Sequence, residues 1–403
     1  MEPSSPTPLF SPEFFTDPHA TFTWLRRHSP VHAFRFPYGD VPMWAVTRYQ
    51  DVRDLLSDSR FSCAYSSASP EFQAAGLGIG RGTELEEALA LSDPPRHTRL
   101  RRLTAKMFTS RQMEPWRGIV ERTADRLIDE LRERDEADLV ADYAALVPCD
   151  VISAILGIPF ERRRFVLDLT MTIFSADPSV AARAPEASAA LIDYARQLLT
   201  DKRRRPGQDV TSELIAARQD GERLTETELI AMVTSFVIGG FDTTQNLIAN
   251  AVLALLDHPD QRRLVLAVPD LPAGAVEEFI RYEGAFLTAL WRFPGEDLEF
   301  AGTPLPAGAP VFPVVAAGNR DPDRFSHPDR LDLTRTDVRH VGFGHGLHLC
   351  LGAALARLEG QVAVPRLVRA FPEMTLAVPR AELTHRASFL VRALTSLPVR
   401  LGG

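Results

Sequence analysis

Between Leu229 and Leu256 the chain carries one ionisable residue, Asp242, in a run that is otherwise apolar or uncharged. Thr225 and Glu228 ahead of the run form a capping box, and Pro259 behind it halts helical geometry. At about 1.5 Å per residue such a helix is roughly 40 Å long, enough to cross a whole domain. Thr234, Ser235, Thr243, Thr244, Gln245, Asn246 and Asn250 break up the apolar run, which argues against a membrane span and for a central core helix. The rest of the chain must pack around it.

The middle of this helix is unusual. Gly239 and Gly240 each weaken a helix by about 1 kcal/mol relative to alanine. The Thr243 hydroxyl stands one turn beyond Gly239 and can compete for that carbonyl, opening the helix locally. A carboxylate buried beside it is costly unless paired. Two readings stay open: a capped kink with Asp242 reaching a surface arginine, or a polar, water-admitting groove in a cavity wall.

A second stretch, "VGFGHGLHLCLG" (341–352), packs two histidines, one cysteine and four glycines into twelve positions. Cys350 follows the glycine-rich loop and should open the helix "LGAALARLEGQVAVPRLVRAF". A helix N-terminus stabilises a thiolate through its dipole and free N–H groups. Cys350 can therefore be a buried structural cysteine, a nucleophile paired with His345 or His348, or an axial ligand to a heme iron. The other cysteines, Cys63 and Cys149, are far away and no CxxC pair exists. That argues against zinc ribbons and for reduced thiols in a cytosolic compartment.

A net charge of −8 argues against nucleic acid as the main partner. The N-terminus "MEPSSPTPLFSPEFF" lacks the basic start and apolar run of a leader, so a soluble, cytoplasmic protein is expected, with residues 1–12 a disordered lead-in. "VHAFRFPYGDVPMWAVTRY" reads as strand, turn, strand. Residues 50–302 follow helical spacing, apart from the surface loop "AAGLGIGRG" (74–82), and strands and turns follow beyond Gly302. Without a repeat or long linker, residues 1–403 are expected to form one mainly α domain with small β-sheets.

Four segments carry a resemblance. Phe343, Gly346, Cys350 and Gly352 fall as F-x-x-G-x-x-x-C-x-G; "EEFIR" is an E-x-x-R pair; "GGFDTT" lies mid-helix; and "DPPRHTRLRR" places His97 and Arg101 on one helical face. Together they resemble the cytochrome P-450 superfamily of heme-thiolate monooxygenases, in its soluble bacterial form, along essentially the whole chain. The resemblance implies that family's fold, a long central helix over a heme. It makes Cys350 the proximal ligand of heme b, within a loop shaped by Phe343, Gly344 and Gly352. His97, Arg101, Arg292 and His348 would hold the propionates. Glu278 and Arg281 would lock the loop together with Arg330, next to Leu331 where relatives usually carry an aromatic. Asp242 and Thr243 would relay protons for O2 activation.

The implied activity is hydroxylation or epoxidation of an apolar small molecule, a natural-product biosynthetic intermediate. The alternatives are oxidative ring closure or aryl coupling by the same heme chemistry, a non-catalytic heme-binding protein, and a cysteine hydrolase using Cys350. Position relative to the motifs suggests Phe236, Val237, Gly240, Phe241, Leu287, Leu290 and Phe389 as pocket residues, with 65–82 and 388–391 contributing. Electrons would reach a monomer from NAD(P)H through ferredoxin reductase and an acidic ferredoxin, attracted by Arg99, Arg102 and Arg357.

Overall fold

The structure is a computed structural model that describes residues 7–78, 80–174, 178–218, 221–272 and 274–402. The low-charge run forms one helix, Glu226–Asp257, of 32 residues. Its capping box is present in full: the Thr225 hydroxyl accepts from the Glu228 N–H, and the Glu228 carboxylate accepts from the Thr225 N–H. Helices Leu146–Ile155, Ala184–Arg204, Ala275–Glu283 and Ala353–Ala370 pack around it, and Arg117–Arg132 lies against the last of these. A helix apolar on all sides belongs in a core, and these neighbours supply one.

The expected strand–turn–strand is an antiparallel pair, Val31–Phe36 with Val41–Val46. Val311–Pro313 joins Val41–Val46 in parallel to complete a three-stranded sheet. A second three-stranded sheet joins Glu136–Asp138, Pro398–Arg400 and Thr375–Leu376. The first sheet supports an aromatic core in which Phe14, Phe22, Phe72, Trp291, Phe293, Phe312 and Phe389 are buried. Among the described residues, no helix is long and apolar enough to cross a membrane.

The expected lead-in is too long. Residues 1–6 lie outside the described residues, but the Phe10 ring packs 5.1 Å from that of Phe389 and 5.2 Å from that of Phe36. Burying an aromatic ring outweighs the Pro/Ser-rich composition around it.

Candidate functional site

The cysteine loop is a compact turn. Gly344 and Gly346 have φ of +76° and +68°, and a Cβ on Gly346 would come within 3.1 Å of the Leu56 carbonyl oxygen. The Cys350 N–H donates to the Phe343 carbonyl at 2.8 Å, closing the loop. The following helix starts at Ala353 with Gly352 as its cap, so Cys350 precedes the helix rather than opening it. The loop's tight closure uses up the residues that would otherwise make the first turn.

Cys350 is exposed, whereas Cys63 and Cys149 are buried. It is nevertheless deep in the chain: burial raises its thiol pKa, opposed by the Gly352 N–H and by the charges of Arg101 and Arg357. An accessible thiol at depth faces an internal space. Leu347 and Leu349 beside it leave 54% and 44% of their surface uncovered, and Leu349 borders a cleft with Phe343, Gly344 and His345. By contrast, burial pushes the Cys63 thiol up to about 11 and the Cys149 thiol up to about 12.

Next to the loop stands a cluster of basic groups, with the Asp93 carboxylate within 4.8 Å of His348. The His97 and His348 rings lie 4.3 Å apart, and His97 is buried with neither ring nitrogen hydrogen-bonded. Buried polar atoms are nearly always satisfied, so such an imidazole marks a place for a ligand. Burial, then the charges of Arg292, His97 and Arg101, pushes His348 down to about 3. Among the described residues the Arg101 side chain donates to the Leu349 carbonyl, at 2.6 Å, and Arg292 to the carbonyls of Leu290 and Trp291, each at 3.1 Å. The four residues expected to hold carboxylates are therefore gathered in one place. Cys63 joins them, its Sγ 3.3 Å from His348 Nε2.

On the central helix the Thr243 hydroxyl donates to the Gly239 carbonyl at 2.6 Å, and the helix continues past it without a break. Gly239 is exposed, and a Cβ there would meet nothing within 4 Å. Ser235, Phe236, Gly239 and Thr243, at helical spacing, are all less than fully buried, and they form an open stripe on an otherwise enclosed helix. Asp242 lies off this stripe. Its Oδ1 accepts from Arg386 at 2.6 Å and its Oδ2 from the Asn246 amide at 3.3 Å. Burial raises the Asp242 pKa, opposed by the Arg386 charge. Of the two readings, the kink is absent and the arginine that Asp242 reaches is largely buried, while the open stripe follows the second.

Glu278 and Arg281 form a two-point ion pair, with N···O distances of 2.6 and 2.8 Å and both side chains fully enclosed. Arg281 also donates to the Asn319 carbonyl, and Asn319 Oδ1 accepts from the N–H of Val341 where the cysteine loop begins. The third arginine is Arg335, 3.1 Å from Glu278, not Arg330. The Arg330 side chain points to solvent after the turn at His327, and only its carbonyl accepts from Arg281. Leu331 is buried in the helical core.

Several expected pocket residues are engaged elsewhere. Val237 is core, Phe241 packs with Cys149 and Leu167, and Leu287 and Phe389 belong to the aromatic core. A Cβ on Gly240 would strike Ile152 at 2.8 Å. Phe236, against Phe108, and Leu290 remain partly open. The expected docking arginines are also paired: Arg99 with Glu228, Arg102 with Glu222, and Arg357 with Glu277. Sequence reasoning missed Asn246, Arg335 and Arg386. Asn246, one turn after Asp242, could have been found by helical spacing.

A family model described as Cytochrome P450 matches residues 3–173, 163–265 and 272–386. The chain is 42% identical over 395 residues to a vitamin D(3) 25-hydroxylase of Pseudonocardia autotrophica, covering 98% of this chain and 96% of that one. It is 39% identical to the cytochrome P450 monooxygenase PikC of Streptomyces venezuelae, covering 96% and 92%. A myxobacterial cytochrome P450 solved with myristic acid superposes with a TM-score of 0.91 at 34% identity, covering 98% of both chains.

Proposed function

The chain belongs to the cytochrome P450 family and is a heme-thiolate monooxygenase, and on that premise we propose that Cys350 is its thiolate and Asp242 with Thr243 its proton relay. The observation that carries this reading is the exposed yet deep Cys350 beside the unsatisfied imidazole of His97. The residues fit the cofactor: His97, Arg101, Arg292 and His348 would hold its carboxylates, and Phe343, Gly344 and Gly352 would border its ring. When bound, heme supplies dioxygen activation, and a thiolate ligand favours O–O cleavage.

The chain's own groups do the rest. Burial disfavours the thiolate of Cys350, and the Gly352 N–H and the nearby charges of Arg101 and Arg357 oppose that only in part. Thr243 Oγ1 lies on the open stripe and can turn its proton from the Gly239 carbonyl into the cavity. Asp242 can resupply Oγ1 from solvent by exchanging one of its present partners. Phe236, Gly239 and Leu290 offer an apolar wall, which suits a substrate with few polar groups.

The substrate class is an apolar natural-product intermediate, hydroxylated or epoxidised. Dioxygen and redox partners are required. A ferredoxin with its NAD(P)H-dependent reductase serves a monomeric, cytoplasmic enzyme. Docking uses the cleft of about 780 Å³ outside the cysteine loop, where Arg48, Arg53 and Arg339 join the expected Arg357, while Arg99 and Arg102 do not border it.

The test is a spin-state titration of the heme-loaded enzyme with macrolactones and secosteroids, followed by turnover under ¹⁸O2. Product carrying one labelled oxygen supports the reading. Unlabelled product that has lost two hydrogens would replace it with ring closure or coupling.

A further inference from the structure

Cys63 stands at the site, yet the reading above leaves it without a role. The strand Phe61–Ser62 brings it there by pairing with Phe293–Pro294, directly after Arg292. Its Sγ lies 3.3 Å from Nε2 of His348 on the cysteine loop. Asp93, in the turn that leads into the helix Arg96–Thr104, completes a trio. One sulfur, one ring nitrogen and one carboxylate oxygen all lie within 4.8 Å of one another.

The trio has the build of a ligand set. Asp93 Oδ1 accepts from the Cys63 N–H at 2.9 Å, and Oδ2 accepts from the Ser62 hydroxyl. These bonds aim the carboxylate and still leave a lone pair on each oxygen, as is usual for carboxylates that bind metals. The Asp93 carbonyl accepts from the His97 N–H at 2.8 Å, which fixes the turn. In a tetrahedral zinc site, bonds of about 2.3 Å to sulfur and about 2.0–2.1 Å to nitrogen put those two atoms about 3.5 Å apart. The Cys63–His348 separation is close to that edge. His97 is buried with both ring nitrogens unpartnered, its ring 4.3 Å from that of His348, so this corner is completed by something the chain does not supply.

Charge and softness narrow the choice of ligand. Arg101 and Arg292 stand close to His348 and alone would repel a cation. The Asp93 carboxylate and a Cys63 thiolate together cancel the two charges of a divalent ion. A set of sulfur, nitrogen and oxygen donors favours ions of the zinc class over magnesium or calcium, which take oxygen ligands. Asp93 and His348 are part-exposed and give the ion a way in.

We propose that Cys63, Asp93 and His348 form a site for a divalent cation of the zinc class, which tunes how readily the enzyme accepts an electron. On binding, the Cys63 S–H bond breaks, the sulfur gives its electron pair to the metal, and the proton leaves to solvent. Two positive charges arrive and one departs, so one is gained beside His348. The metal itself takes no electron. The effect on reduction, unlike the binding, rests on the reading above, which places the heme carboxylates at His348. A positive charge there favours the reduced state, so the midpoint potential rises.

The test uses the heme-loaded, tag-free full chain. Equilibrium dialysis should find one tightly held zinc ion per heme, and no magnesium at the same concentration. X-ray absorption at the zinc edge, which iron does not obscure, should show one sulfur at about 2.3 Å with nitrogen and oxygen at about 2.0–2.1 Å. Cys63→Ser and Asp93→Asn should each weaken binding by more than about tenfold, and Cys149→Ser should bind as wild type does. A carbon monoxide spectrum of the thiolate type verifies the fold of each variant. In a spectroelectrochemical titration, zinc should make the wild-type potential more positive and leave that of Cys63→Ser where it was.

Equal zinc affinity in Cys63→Ser, or a zinc-edge spectrum without sulfur, would overturn the site. If zinc binds through Cys63 and the potential stays put, the tuning is overturned, and with it the placement of the heme carboxylates at His348. The two failures are thus distinguishable.

Discussion

Two buried ion pairs flank the site, and they are built differently. Glu278–Arg281 joins residues three apart on one helix, has no exposed surface, and is closed by Arg335 and the Asp332 N–H. Asp242–Arg386 joins residues 144 apart, keeps 13% of the arginine side chain exposed, and has Asn246 contacts at 3.3 and 3.5 Å. The first pair has every acceptor filled at short distance and serves as a lock on the loop before Cys350. The second sits beside an open stripe with partners that can exchange. Similar chemistry therefore gives a rigid part in one place and a movable one in the other.

Removing a partner should separate them most clearly. Glu278→Gln strands Arg281 in a closed site, where a broken buried pair costs about 3–5 kcal/mol. Chemical unfolding should show that loss, and heme retention should fall with it. Asp242→Asn keeps the shape and leaves Arg386 some access to water, so a smaller loss of about 1–3 kcal/mol is expected. Its main effect should be on chemistry, with slower proton delivery, a larger solvent isotope effect and less product per NADH. Thr243→Ala should consume NADH quickly while releasing hydrogen peroxide. If Asp242→Asn destabilised the fold as much as Glu278→Gln and left coupling intact, the contrast between the pairs would disappear.

The first pair was legible because its spacing is local: Glu278 and Arg281 share a helix face whatever the fold. The central helix was legible for a similar reason, since a long run with one charge and a capping box has few other solutions. Arg335 was misassigned to Arg330 because the turn at His327 decides which arginine points inward, and no periodicity reports a turn's exit direction. Arg386 carried no signal at all. Its partner lies across the whole domain, and only packing brings them together. Pocket residues such as Phe389 were misplaced for a related reason: an apolar side chain fits a cavity wall and an aromatic core equally well, and here the ring packs on Phe10, Phe34 and Phe312.

A weaker pair sharpens the comparison at low pH. Burial raises the Glu277 pKa, but hydrogen bonds from His340 and Arg357 outweigh it and hold the carboxyl at about 2. A carboxyl lowered on folding adds stability that is complete above its ordinary value near 4.5 and is lost as pH falls toward about 2. Arg357 is 41% exposed, so solvent screening keeps the contribution small. Glu277→Gln should flatten the stability profile across that window, lowering stability slightly at neutral pH and leaving it unchanged near pH 2, where the carboxyl is protonated.

The central claim is that Cys350, not either buried cysteine, binds the heme. The reduced carbon monoxide spectrum of Cys350→Ser, set beside those of Cys63→Ser and Cys149→Ser, addresses it directly. Loss of the thiolate-type band in Cys350→Ser alone is the expected result. Retention of that band in Cys350→Ser, or its loss in Cys63→Ser, would contradict the assignment.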